Sequence, residues 1–148
     1  MNKKDDTIKL EYDIIQNDFV RAGEASSNVK KILKQLGIDS KIIRRVAIVT
    51  YEAEMNIVIH SYGGKLLVEI SSKKIEITAK DNGPGIEDIE KAMQEGFSTA
   101  SNEIRELGFG AGMGLPNMKK CSDVLKIDSE KGKGTTVYME IFMKSNQN

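Results

Sequence analysis

The sequence is short of several residue types, and each shortage excludes a class of protein. One cysteine and one histidine in 148 residues exclude an internal disulfide and leave too few ligands for a structural zinc site. Basic and acidic residues both number 22, so the chain lacks the basic surplus with which proteins bind nucleic acid or anionic membranes. No apolar run approaches membrane-spanning length, and the polar N-terminus is unlike a signal peptide. We therefore expect a cytoplasmic protein that binds neither nucleic acid nor a membrane.

The composition that is present, 39% hydrophobic and 30% charged, suits one globular domain with its own core. We expect that domain to span residues 1–148, with a frayed tail at 144–148. Alternating apolar residues predict strands at 7–14, 66–71, 74–80, 124–129 and 135–143. Three- and four-residue spacings predict helices at 23–36 and 40–62. An acidic first turn indicates a short helix at 87–94, and Pro116 indicates the start of a helix at 116–122. Since adjacent strands are mostly joined directly, we predict an α+β fold, a two-layer sandwich whose mixed, largely antiparallel sheet is covered on one face by helices.

The spacing of apolar residues also predicts which side of each long helix faces the core. The predicted inner residues of the first helix are Val29, Ile32, Leu33 and Leu36. Those of the second helix, capped by Asp39 or Ser40, are Ile42, Val46, Val49, Ala53 and Ile57.

The second helix carries a row of polar residues beside this apolar stripe. Glu52, Asn56 and His60 follow one another at four-residue steps, which places them on one side of the helix at the rim of the core. An amide oxygen can bind Mg²⁺, and a carboxylate can accept a hydroxyl proton. A solvated helix edge is the competing interpretation of the row, and a structural role is the competing interpretation of His60.

Two glycine clusters follow, at 81–85 directly after a strand and at 108–115 before a helix. Such a density of glycine marks backbone that needs positive φ or lies close to something bound. Asp81 shares the core face of its strand, so its carboxylate needs a hydrogen-bond partner. A ligand amine is one candidate, and an Asx turn starting at Asp81 is the other.

Taken in order, these motifs resemble those of the GHKL superfamily of ATP-binding proteins, which includes gyrase, Hsp90, MutL and histidine kinases. The shared pattern is E-x-x-x-N on a long helix, D-x-G-x-G after a strand, G-x-G-x-G-L at a helix start, and Gly134-Thr135 before the last strand. The resemblance extends from about residue 23 to residue 143. It implies the Bergerat fold, with ATP and Mg²⁺ as ligands.

The resemblance also implies roles for individual residues. Glu52 would be the general base, and Asn56 would hold Mg²⁺ against the triphosphate. Asp81 would bind the adenine amino group with help from Thr135, and Arg105 would reach the γ-phosphate from an ATP lid at 95–107, unless Arg105 is a solvated lid residue. The remaining nucleotide-binding residues implied are His60, Gly83, Gly85, Gly110, Gly112, Gly114 and Leu115.

The length of the chain narrows the choice within the superfamily. We expect no transducer domain of the gyrase, Hsp90 and MutL kind, because 148 residues leave no space for one. A histidine kinase needs a phosphoacceptor histidine on a pair of dimerisation helices, and the only histidine here, His60, lies on the helix of the polar row. What remains resembles the small bacterial anti-sigma factors and switch kinases, which implies phosphorylation of serine or threonine on a STAS-domain antagonist. A sigma factor and a second copy of the chain are further partners that the resemblance allows. The run at 95–99 resembles switch kinases and the run at 56–63 resembles anti-sigma factors, so the subgroup stays open.

Two other functions compete with the kinase. One is a non-catalytic ATP-binding module that sequesters a protein partner, and the other is a stand-alone ATPase domain of the histidine-kinase type. Glu52 favours catalysis, because a pure binder does not need a carboxylate there. A Rossmann domain is excluded because the second glycine cluster follows a polar loop instead of a strand, and the sequence has no P-loop triplet.

Overall fold

A computed structural model of the chain describes residues 7–85, 93–94 and 114–143. Its elements are β1 (Ile8–Ile14), α1 (Glu24–Gln35), α2 (Ser40–His60), β2 (Gly64–Ile70), β3 (Lys74–Asp81), α3 (Gly114–Cys121), β4 (Val124–Glu130) and β5 (Gly134–Phe142). Most of the helix predicted at 87–94, the predicted lid at 95–107 and the tail at 144–148 lie outside the described residues. In the described part of the chain, no helix is long and apolar enough to cross a membrane.

The strands form one sheet in the order β1-β2-β3-β5-β4, and all four pairings are antiparallel. The α+β prediction is confirmed, but the described sheet is antiparallel throughout instead of mixed. Short turns at 71–73 and 131–133 join β2 to β3 and β4 to β5, and such turns connect only antiparallel strands. The other two pairings, β1 with β2 and β3 with β5, join strands that are separated by helices in the chain. Alternate residues of each central strand are buried, including Ile75, Ile77 and Ala79 on β3.

Helices α1 and α2 form a hairpin across residues 36–39. Gly37, with φ at +74°, lets the chain turn after α1, and the Asp39 side chain caps α2 by accepting from the Lys41 amide at 3.4 Å. The prediction that Leu36 faces the core is wrong, since 44% of its surface is exposed. Leu36 is the C-cap of α1, where the chain already turns away from the apolar stripe that Val29 and Leu33 continue.

A buried carboxylate joins these two helices at their other ends. Glu54 of α2 is 2% exposed, and its oxygens accept from the backbone amides of Gly23 at 3.0 Å, Ala25 at 3.3 Å and Ser26 at 3.1 Å. The first amides of a helix have no partner within the helix and carry its positive dipole end. Glu54 therefore caps α1 from outside, which the sequence analysis did not predict.

Helix α3 lies antiparallel to α2. At the C-terminal end of α3, Arg45 of α2 donates from Nε to the carbonyl of Cys121 at 2.8 Å and pairs with Asp123 at 3.0 Å. At the other end, Gly114 lies beside Asn56. The N-terminus of α3 is thereby fixed next to the polar row of α2. The side chains that α3 buries are Leu115, Pro116 and Met118.

Candidate functional site

The site begins where the polar row of α2 meets the first residue of α3. Glu52 and Asn56 are half-buried and one helical turn apart. A Cβ atom built on Gly114 would lie 3.4 Å from Asn56 Oδ1 and 3.8 Å from Glu52 Oε1. The first residue of α3 therefore lies next to both polar groups. The structure thus brings Gly114, from the second glycine cluster, next to two residues of the polar row.

A fourth residue at this junction was missed by the sequence analysis. Asn117 lies three residues after Gly114, and its Nδ2 donates to Glu52 Oε2 at 2.8 Å. Residues three apart in a helix lie on the same side, so the spacing from Gly114 was the signal that could have identified Asn117.

His60 lies one turn beyond Asn56, at the end of α2. Burial lowers the pKa of its imidazole below the ordinary 6.5, so the neutral ring predominates at pH 7. A neutral imidazole offers one hydrogen-bond donor and one acceptor in place of a charge. The contact of His60 with a phosphate stays a prediction.

Asp81 ends β3 on the core face of the sheet. Its Oδ1 accepts from the backbone amides of Gly83 at 2.8 Å and Thr135 at 3.1 Å. The first bond is the Asx turn that competed with the ligand role. The two interpretations are compatible, because neither bond involves Oδ2 and a carboxylate can accept about four hydrogen bonds.

The backbone of Asp81 is clamped between two glycines of the neighbouring strands. A Cβ on Gly64 of β2 would lie 2.8 Å from Asp81 Cα, and a Cβ on Gly134 of β5 would lie 2.3 Å from the Asp81 carbonyl oxygen. No larger residue fits either position without moving β3. The carboxylate therefore projects from a backbone that is held on both sides.

The glycines after Asp81 have contacts within the chain. A Cβ on Gly83 would lie 2.7 Å from Ser61 Cβ, and one on Gly85, whose φ is +82°, would lie 2.6 Å from the Glu130 carbonyl oxygen. Each therefore has a packing reason to be glycine. Their predicted approach to a bound base stays a prediction.

The other predicted site residues fall into two groups. The Thr135 side chain is buried, and its hydroxyl lies 2.8 Å from Ser129 Oγ, while the Leu115 side chain is part of the core. Arg105, Gly110 and Gly112 lie outside the described residues, as does the predicted lid.

The oxygen atoms at the α2–α3 junction are of the kind that can bind Mg²⁺. Mg²⁺ prefers oxygen ligands and takes most of them from substrate phosphates and water, with only one or two from protein. Asn56 Oδ1 is an oxygen of the kind that Mg²⁺ accepts, and the carboxylate of Glu52 lies beside it. Within residues 7–85, 93–94 and 114–143, no group of three or more His, Cys, Asp or Glu side chains could hold a metal.

Comparison with known proteins places the chain in a family. Residues 41–145 match the family described as Histidine kinase-, DNA gyrase B-, and HSP90-like ATPase. The chain belongs to this ATPase family. Within it, the chain is 33% identical over 124 residues to the serine/threonine-protein kinase RsbT of Bacillus subtilis, covering 81% of this chain and 85% of RsbT. It is also 43% identical over 101 residues to an anti-sigma F factor of a Thermoanaerobacter species, covering 65% of this chain and 67% of that protein.

A solved structure supports the same fold for this member of the ATPase family. The crystal structure of the RsbU and RsbW domains of Rv1364c from Mycobacterium tuberculosis matches with a TM-score of 0.62 at 15% identity, covering 90% of this chain and 32% of that one. The predicted membership of the GHKL superfamily, among the anti-sigma factors and switch kinases, is confirmed.

Proposed function

We propose that the chain is a Mg-ATP-dependent protein serine/threonine kinase of a partner-switching pathway, acting in the cytoplasm on a hydroxyl of a STAS-domain antagonist. The observation that supports this most directly is the placement of the Glu52 carboxylate beside Asn56 at the start of α3. The kinase RsbT and the anti-sigma F factor among its relatives agree with this function.

The phosphates of ATP would bind at the α2–α3 junction. A helix N-terminus offers unpaired amides and a positive dipole end to an anion, and α3 begins at Gly114 beside Asn56. Asn56 would hold Mg²⁺, which when bound neutralises phosphate charge. Gly110, Gly112 and Arg105 would complete the phosphate contacts from the glycine run and the lid.

The adenine end would bind at Asp81. A carboxylate is an acceptor for the exocyclic amino group, and Asp81 Oδ2 takes no part in the two backbone bonds that fix Oδ1. Thr135, whose amide holds Asp81, would assist. Gly83 and Gly85 would form the adjoining backbone.

Glu52 would act as the general base for transfer. The substrate hydroxyl oxygen forms a bond to the γ-phosphorus, the bond from that phosphorus to its bridging oxygen breaks, and ADP leaves with the electron pair. Glu52 takes the hydroxyl proton, and Oε1 is the oxygen nearer to Gly114. Phosphoryl transfer depends mostly on positioning and charge stabilisation, so this short list of groups is sufficient.

The test is labelled-phosphate transfer by purified variants. Glu52→Gln should bind Mg-ATP like the wild type and transfer phosphate roughly 10²- to 10⁴-fold more slowly, the range that a general base contributes. Glu24→Gln, which neutralises an exposed glutamate on α1, serves as the matched control. Transfer by Glu52→Gln at the rate of the control would show that Glu52 is not the base.

A second function is favoured by the anti-sigma F relative, whose name assigns it to sigma-factor control. In that case ATP shapes a surface that sequesters a sigma factor. The two functions separate in Glu52→Gln, since sequestration depends on ATP binding and not on transfer. A variant that captures a sigma factor in the presence of Mg-ATP and transfers no phosphate would establish sequestration beside catalysis.

A further inference from the structure

We infer that Asn117 is a positioning residue that fixes the carboxylate of Glu52 for proton transfer. The inference rests on the proposed function, in which Glu52 is the base. It gives a residue of α3 a role in the reaction. It also connects the proposed base, Glu52, to the helix whose N-terminus would bind the phosphates.

The geometry assigns different tasks to the two oxygens of Glu52. Oε2 accepts from Asn117 Nδ2 at 2.8 Å, and Oε1 lies 3.8 Å from the Cβ position of Gly114, beside Asn56. A glutamate side chain has three rotatable bonds and is held in one rotamer only at an entropic cost. The bond from Asn117 holds the carboxylate so that Oε1 faces the start of α3.

Asn117 can position Glu52 because α3 is itself fixed on α2. Arg45 holds the C-terminal end of α3 through the Cys121 carbonyl and Asp123. On either side of Asn117, Pro116 and Met118 are buried. The amide therefore projects from a helix that cannot shift along α2 without breaking these contacts.

An amide suits this position better than a charged donor. Asn117 donates to the carboxylate without adding a positive charge that would form an ion pair with the base or compete for the phosphates. An aspartate of the same shape would replace the donor by an acceptor and repel Glu52. The role of Asn117 therefore depends on its neutral amide donor as well as on its size.

The kinetic test uses a STAS-domain protein that the wild-type chain phosphorylates, with labelled ATP. Asn117→Leu, which keeps the approximate volume and removes the donor, should lower kcat roughly 10- to 100-fold, the effect of a misplaced catalytic group, and leave the KM for ATP unchanged. Asn117→Asp should be at least as slow. Asn117→Gln, which keeps the amide, should recover part of the rate, and Lys119→Ala, on the exposed side of the same helix, should match the wild type.

A structural readout accompanies the kinetics. In ¹H–¹⁵N spectra of the chain without nucleotide, the side-chain NH₂ signals of Asn117 should shift in Glu52→Gln, where the charged acceptor is lost. They should be unchanged in Glu24→Gln. Unshifted Asn117 signals in Glu52→Gln would show that the bond is absent in solution and overturn the inference.

The outcomes separate this inference from the function on which it rests. If Glu52→Gln abolishes transfer while Asn117→Leu transfers at the wild-type rate, Glu52 is the base and Asn117 does not position it. If kcat, ATP affinity and thermal stability all fall together in Asn117→Leu, Asn117 only supports the fold, and the inference also fails. If Glu52→Gln transfers normally, the proposed base is wrong and the role of Asn117 falls with it.

Discussion

The buried cap formed by Glu54 gives a prediction that is independent of function. Its carboxylate accepts three backbone amides at the start of α1, from Gly23, Ala25 and Ser26, at 3.0 to 3.3 Å. Glu54→Gln keeps the shape of the side chain, but the amide presents an NH₂ group to donors and removes the negative charge from a helix N-terminus. The change leaves at least one buried amide without an acceptor.

The expected cost follows from the number and burial of these bonds. Loss of a helix cap costs about 0.5–2 kcal/mol, and a hydrogen bond to a charged group contributes about 1.5–3 kcal/mol. Because Glu54 is 2% exposed, solvent cannot replace the lost acceptor, although the cost of burying the charge is recovered. We expect the unfolding free energy to fall by about 2–4 kcal/mol, and the melting temperature of a chain of this size to fall by about 6–12 °C.

The assay is urea unfolding followed by circular dichroism, with thermal unfolding in parallel. Glu24→Gln is the matched control, since Glu24 is an exposed glutamate in the first turn of the same helix and its loss should cost less than ~1 kcal/mol. If the two variants unfold at the same urea concentration, the cap contributes no more than a surface charge. In that case Glu54 would not stabilise the start of α1.

Two further predictions concern the strand junction and pH. Gly134→Ala would put a Cβ 2.3 Å from the Asp81 carbonyl oxygen, and we expect it to lower the unfolding free energy in urea by about 2 kcal/mol or more. Gly132→Ala is the control, because Gly132 has φ +82° and no neighbour within 4 Å and so reports only the cost of positive φ. Equal losses in the two variants would show that the contact with Asp81 contributes nothing. Burial lowers the pKa of His60 from 6.5, so the unfolded state binds the proton more readily than the folded state. The unfolding free energy should therefore fall as the pH drops below about 6.5. If the unfolding free energies of the wild type and His60→Asn differ by the same amount from about pH 7.5 to about pH 5.5, this prediction is wrong.

The helices and strands could be predicted from the sequence because each buries one face, so apolar residues recur along it at a regular spacing. The alternation of Ile75, Ile77 and Ala79 and the helical steps from Val46 to Ala53 both correspond to buried faces. The prediction fails at Leu36, where the apolar period continues one residue past the end of α1. The spacing of apolar residues identifies the buried face of a helix but not the residue at which the helix ends.

The site could be predicted only in part, because some of its residues act through contacts that no local pattern encodes. Glu52 and Asn56 share a helix, so their spacing reveals them, whereas Asn117 meets Glu52 from an element 65 residues away. Glu54 was missed for the same reason, since its three partners precede it by about 30 residues. Gly83 was predicted to let the backbone approach a bound base, and the structure shows that Gly83 also packs closely against Ser61.

Calorimetry on the purified chain tests whether Mg²⁺ and ATP bind together at the α2–α3 junction. ATP is titrated with and without Mg²⁺ into the wild type and into Asn56→Ala, with the exposed variant Lys119→Ala as the control. We expect magnesium-dependent ATP binding by the wild type and by Lys119→Ala, and loss of this binding in Asn56→Ala. Absence of binding at about millimolar ATP, or equal affinity with and without Mg²⁺ in all three proteins, would contradict it.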